Sequence, residues 1–172
     1  DDLNPARLQL LLRARRELGQ RHRAAHSYEE PAFDVYPLKG GPGDGGEGRV
    51  GEISGPPSLA EFASRVKQEL RAGGVQVVGE PKRPIRRVAI ACGAAGEFLS
   101  DAARAKADVF LTGEARFHDY LSAQDRGVAL VLPGHYATER PAVEELAARL
   151  QAEFAGLTVW ASRGETDPVT WG

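Results

Sequence analysis

LVLPGHYATERP, residues 130–141, passes from one kind of structure to another without a linker. An apolar run of strand type ends at Pro133-Gly134, a pair that breaks extended structure, and a helix-forming segment follows. His135 and Glu139 stand four residues apart directly after the break. Positions i and i+4 of a helix face the same way, so an imidazole and a carboxylate at this spacing can reach one divalent ion. A plainer account makes Thr138 the helix N-cap, with Glu139 and Pro141 in the first turn, where a carboxylate suits the helix dipole. That account explains Glu139 and gives His135 no task. Spacing alone leaves both readings open.

The same handover recurs along the chain. Short runs at 49–54, 75–79, 86–91, 108–113, 128–133 and 157–162 have the β-branched character and length of strands. Amphipathic stretches lie between them at about 97–106, 116–126 and 138–154. Ser58-Leu59-Ala60-Glu61 is a capping box, which opens a further helix to Leu70 with Leu59, Phe62, Val66 and Leu70 on its buried face. This alternation predicts an α/β fold, a mixed sheet flanked by helices.

In open sheets of this kind, ligands collect where strands end and loops lead into helices. Three such loops carry chemistry: CGAAGEF (92–98), EARFHDY (114–120) and GHYATER (134–140). Gly93 and Gly96 would let backbone approach a phosphate, or would simply allow a tight turn; the spacing is that of neither a P-loop nor a dinucleotide fingerprint. Cys92 is expected to be a small buried apolar residue. Glu114 and His118, again four apart, form either an acid/base pair or brace on one helix face, or a helix start and a surface histidine.

Upstream, Asn4-Pro5 starts a helical pattern with Leu8, Leu11, Leu12 and Leu18 in register, ended by Gly19. Residues 33–38 alternate like a strand. The glycine-rich 39–48 reads as a linker, with a domain boundary there. The 172 residues carry 22 Lys and Arg against 24 Asp and Glu, a balance without the basic bias that nucleic acid demands. No apolar run is long enough to span a bilayer. With Cys92 as its one cysteine, the chain holds no internal disulfide, and a reducing cytoplasm is the expected compartment. The chain lacks methionine and opens directly in helical register, so a piece of a longer protein is expected.

VAIACGAAGEFLSDAARAKADVFLTGEARFHDYLSAQDRGVALVLPGHYATERPAVEELAARLQ (88–151), followed by ETDP (165–168), resembles the carboxyl-terminal half of the Nif-three-like family, whose members include GTP cyclohydrolase type 2 homologues and dinuclear metal-centre proteins. The resemblance covers about residues 49–170, and AHSYEEPAFDVYPL (25–38) is similar to the end of a PII- or CutA-like insert domain, with Ser27 where longer members usually have proline. It implies that residues 1–38 are the last helix and strand of that α+β insert, and that 49–172 are the carboxyl-terminal half of the metal-binding domain. It also implies a site for two divalent metal ions, to which His135 and Glu139 contribute; histidine with carboxylate suits zinc, iron and manganese alike. The remaining ligands of the family, a His-His pair and an aspartate, come from an amino-terminal half, and this chain contains no His-His. The implied activity is a metal-dependent hydrolase resembling GTP cyclohydrolase type 2, in which metal-activated water attacks a nucleotide-like substrate, with Glu114 and His118 as pocket or acid/base groups. A chain carrying two ligands alone is expected to be inactive. The alternative is a non-catalytic metal-dependent scaffold or a small-molecule sensor, with His26, Glu29 and Glu30 in the insert remnant. A homohexamer is the implied assembly.

Overall fold

The computed structural model describes residues 46–172, and the expectations for the upstream helix, the strand at 33–38, most of the linker and His26, Glu29 and Glu30 lie outside them. The described residues form a five-stranded mixed sheet. Its strands are β1 (Gly48–Glu52), β2 (Gln76–Val78), β3 (Arg87–Ala91), β4 (Val109–Leu111) and β5 (Ala129–Leu132), in the order β1-β3-β4-β5-β2. β3, β4 and β5 run parallel, while β1 and β2 close the two sides antiparallel to β3 and β5. The helices are α1 (Leu59–Glu69), α2 (Leu99–Arg104), α3 (Phe117–Asp125) and α4 (His135–Glu153). Among the described residues no helix is long and apolar enough to cross a membrane.

Side chains alternate across a strand, so each central strand feeds two cores. Ala89, Ala91, Phe110, Leu130 and Leu132 pack with Leu99, Ala102 and Ala123 from α2 and α3. Val88, Val109, Leu111, Ala129 and Val131 pack with Leu59, Phe62, Ala63 and Val66 from α1. β4 and β5 are buried at every position, as parallel strands covered on both faces must be. The predicted capping box opens α1: the Ser58 hydroxyl accepts the Glu61 N–H at 3.3 Å, and the Glu61 carboxylate accepts the Ser58 N–H at 2.8 Å.

Asp108, at the amino end of β4, ties the sheet at the end opposite the loops of interest. One carboxylate oxygen accepts the N–H groups of Arg86 and Arg87, each at 2.9 Å, and Arg83 lies 3.6 Å from the other. Desolvation pushes this carboxyl's pKa up, but the two N–H donors and Arg83 outweigh it, so the net direction is down.

Three expectations need correction. Residues 157–162 are not a strand. Their backbone is met by a side chain of α4 rather than by a sheet edge: the Gln151 amide donates to Leu157 O and accepts from Val159 N, both at 2.9 Å. Residues 97–106 begin as a 3-10 turn, Gly96–Phe98, before α2 starts. Finally, α4 starts at His135, four residues earlier than a Thr138 cap would allow. Its N-cap is Gly134, whose φ of +102° is open to glycine and costly for other residues.

Candidate metal centre

The parallel strands β3, β4 and β5 all end on one side of the sheet, and the three loops leaving them are sewn together by backbone bonds. Glu114 N donates to Gly93 O at 3.2 Å, and Gly134 N donates to Gly113 O at 3.0 Å. Gly113 is the point of closest approach: a Cβ there would lie 2.7 Å from Gly93 O and 2.8 Å from the Cα of His135. A side chain at 113 would force these loops apart.

Because α4 begins at His135, that residue and Glu139 fall on one face of its first turns. His135 Nε2 and Glu139 Oε1 are 3.1 Å apart. The other ring nitrogen, Nδ1, makes a close hydrogen bond to Glu114 Oε1. Glu114 therefore arrives from the β4 loop and grips the imidazole from behind, while Glu139 stands at its front. The Glu114 bond is the largest influence on His135 and raises its pKa above the ordinary value. Partial desolvation opposes the rise, and the charges of Glu139 and Glu114 add to it.

Gly93 forms the floor. It sits at φ +71°, and a Cβ on it would lie 2.6 Å from Glu139 Oε1 and 3.2 Å from His135 Nε2. The glycine at the end of β3 thus makes room for these two donor atoms. The sequence allowed Gly93 a phosphate or a turn; the structure gives it a turn whose open side faces the His135–Glu139 pair. Cys92, expected in the core, is exposed, since it is the first residue past the end of β3. Partial desolvation, then the charge of Glu139, push its thiol pKa up, away from the thiolate form.

Of the two readings of Glu114 and His118, the pair on one helix face does not form. α3 begins only at Phe117, so Glu114 lies in the preceding loop and turns to His135. His118 Nε2 faces Asp119 Oδ1 at 3.4 Å instead, and Asp119 accepts the Arg116 N–H at 2.9 Å. His118 and Asp119 line an open cleft of about 400 Å³ with Glu97, Glu114 and Arg116; of the His135 group, Glu114 alone is in its lining. A larger groove of about 1300 Å³ lies elsewhere, between α4 and the carboxyl-terminal segment, and includes neither His135 nor Glu139.

The model of the DUF34/NIF3 (NGG1p interacting factor 3) family matches residues 7–168. The chain belongs to the DUF34/NIF3 family. A Bacillus subtilis protein named GTP cyclohydrolase 1 type 2 homolog is 34% identical over 150 residues, covering 86% of this chain and 40% of that protein. A Mycobacterium leprae protein of the same name is 37% identical over 166 residues, covering 93% and 43%. The crystal structure of a Bacillus cereus protein related to NIF3 superposes with a TM-score of 0.67 at 31% identity, over 92% of this chain and 45% of that one. The DUF34/NIF3 chain described here thus spans about two fifths of the length of the curated relatives it matches.

The family resemblance implies metal; in the structure the His135–Glu139 contact is an ion pair, and the same spacing would let the two side chains share an ion. Two ligands bound at about 2.0–2.2 Å to one ion, with angles between octahedral and tetrahedral, stand about 3–3.5 Å apart, and Nε2 and Oε1 are 3.1 Å apart. A carboxylate on the non-ligating nitrogen is the common partner of a metal-binding histidine, because it fixes the tautomer that leaves Nε2 unprotonated. Among the described residues no group of three or more His, Cys, Asp or Glu is placed to hold an ion. The donor set is therefore a pair with an orienting carboxylate behind it. Beneath the pair lie the buried polar side chains of the described core, Thr112, which sequence reasoning missed, and Thr138, to which it offered only a helix cap. The signal was available: Thr138 sits inside a loop already marked for its chemistry, and Thr112 two residues before another.

Proposed function

We propose that this chain supplies one side of a divalent metal centre in a metal-dependent hydrolase similar to GTP cyclohydrolase type 2. The observation that carries the reading is the convergence of His135 Nε2 and Glu139 Oε1 over Gly93 while Glu114 holds the opposite ring nitrogen. His135 and Glu139 are the ligands, and further ligands come from sequence that the longer relatives carry and this chain does not. A bound divalent ion would lower the pKa of a coordinated water and so supply a nucleophile near neutral pH. The chain's own residues do the rest. Glu114 accepts the Nδ1 proton and keeps Nε2 free. The adjoining cleft receives a nucleotide-like substrate, within reach of His118. Asp119 orients the His118 imidazole, which serves as the proton donor or acceptor.

Titration calorimetry of the 172-residue chain with Zn2+ or Mn2+ tests the metal assignment. Weak binding is expected, lost in His135→Ala and Glu139→Ala and kept in His118→Ala; equal binding by wild type and His135→Ala would refute it. The activity is tested on a protein that also carries the family's other ligands. With divalent metal it should release formate from GTP, and His118→Ala should lower turnover without releasing metal. Metal-loaded protein that leaves GTP intact would remove the cyclohydrolase assignment and leave the metal centre standing.

A further inference from the structure

Beneath the His135–Glu139 pair, two buried hydroxyls hold one residue, Gly93, from both sides. Thr138, 7% exposed, accepts the Gly93 N–H at 3.0 Å through Oγ1. Thr112, fully buried, donates its hydroxyl to Gly93 O at 3.1 Å and accepts the Ala95 N–H at 3.3 Å. Thr138 uses its own proton on His135 O, 2.8 Å away. One hydroxyl therefore ties three things at once: the floor glycine, the backbone of the histidine, and the turn of α4 that carries Glu139 next in sequence.

We infer that Thr138 is a positioning residue for the His135–Glu139 pair, acting through Gly93, whose N–H its hydroxyl holds and whose carbonyl the Thr112 hydroxyl holds. A merely structural threonine would satisfy a local helix carbonyl and stop there. This one also reaches across 45 residues of sequence to the loop on which the donor atoms rest. A side chain of the same shape without the hydroxyl strands a buried N–H at Gly93, which must then move toward water or toward another acceptor. Because Gly93 lies against Glu139 Oε1 and His135 Nε2, any such movement changes the space those atoms occupy. The consequence for metal rests on the function proposed above; the consequence for the geometry of His135 does not.

The experiment compares wild type, Thr138→Val and Thr138→Ser by NMR of the 172-residue chain labelled with 15N, at fixed pH and free of metal. Zn2+ titration of the same samples follows. In Thr138→Val the imidazole 15N signals of His135 should move, and the Gly93 amide should exchange at least about tenfold faster. Zn2+ affinity should fall by about 10–100-fold, the range common when a partner behind a metal ligand is lost. Thr138→Ser should restore all three. His135 signals unmoved in Thr138→Val would overturn the proposal, as would a serine variant that fails to rescue. If wild type binds no Zn2+ but the His135 signals still move, the clamp stands and the metal centre falls. Should Thr138→Val not fold, Gly93 exchange in wild type decides: protection like that of β4 and β5 amides supports the clamp, and exchange at the rate of an open loop removes it.

Discussion

Replacing Gly93 by alanine separates the energetics of the fold from the geometry of the site. The backbone at 93 has φ +71°, so alanine there costs about 1–2 kcal/mol from the left-handed conformation alone. With a urea dependence of about 1–3 kcal/mol per molar, the unfolding midpoint should fall by roughly 0.3–2 M. The new Cβ would also lie 2.6 Å from Glu139 Oε1, closer than such atoms come. Glu139's side chain is 56% exposed, so it swings into water at little further cost in stability. The steric effect is therefore nearly invisible to denaturation and large for the donor pair, whose 3.1 Å separation cannot be kept. Gly55→Ala is the matched reference: its φ is +67°, and a Cβ there meets nothing within 4 Å. Both variants should lose similar stability in urea, whereas calorimetric titration should show Zn2+ affinity reduced by an order of magnitude or more in Gly93→Ala alone. Equal Zn2+ affinity in the two variants would refute the claim that Gly93 is kept small for the donor atoms.

Asp108→Asn should destabilise the fold at neutral pH, because a carboxylate accepting two backbone N–H groups beside Arg83 is exchanged for a neutral amide. The folded carboxyl titrates below its unfolded value near 3.9, so its contribution is complete above that pH and is lost as pH falls through the folded value; urea curves of the two proteins, about 1–3 kcal/mol apart at pH 7, should converge below about pH 4. α4 exposes Val143, Leu146 and Leu150 at helical spacing, and its C-cap Phe154 follows at the same spacing, 46%, 57%, 37% and 49% accessible. The 172-residue chain alone should therefore self-associate, and Leu146→Glu with Leu150→Lys should shift it toward monomer on size-exclusion chromatography with helical circular dichroism unchanged; a wild-type monomer peak at high concentration would contradict this.

Most of the α/β framework was legible because its signals are local. β4 and β5 are unbroken apolar runs, and Ser58 to Glu61 carries its capping chemistry in four adjacent residues. The 157–162 segment misled for the same reason. Val159 and Ala161 are half-buried while Leu157 is 55% exposed, and the apolar run says nothing of whether its partner is a strand or, as found, a glutamine on α4. At the site, the i, i+4 spacing brings His135 to Glu139, 3.1 Å apart, and does not bring Glu114 to His118, where the sequence had left two readings open. The difference is where each helix begins. Gly134 adopts a positive φ and lets α4 start on the histidine itself, whereas α3 starts three residues after Glu114 and frees that carboxylate to turn toward another loop. A helix start depends on which loops its first turn can touch, so spacing could not show it.

The donor pair cannot hold itself together. Side-chain exposures of 46% for His135, 58% for Glu114 and 56% for Glu139 put these groups in water, where an ion pair contributes from nothing to about 1 kcal/mol. What fixes them is below: a buried threonine at 112 and another at 138, three loops joined by backbone bonds, and two glycines, 93 and 113, where any Cβ would collide. That division makes the groups that face a ligand expendable for folding, and the groups that never face one indispensable for placing them. Substitutions at His135 or Glu139 should leave the unfolding midpoint almost where it was. Substitutions at Gly113, whose Cβ would meet backbone atoms of Gly93 and His135, should cost the fold and the site together, because backbone on two separate loops has nowhere to move. A Gly113→Ala chain as stable in urea as His135→Ala would show that the loops are not locked, and the site would then owe its geometry to a ligand and not to the fold.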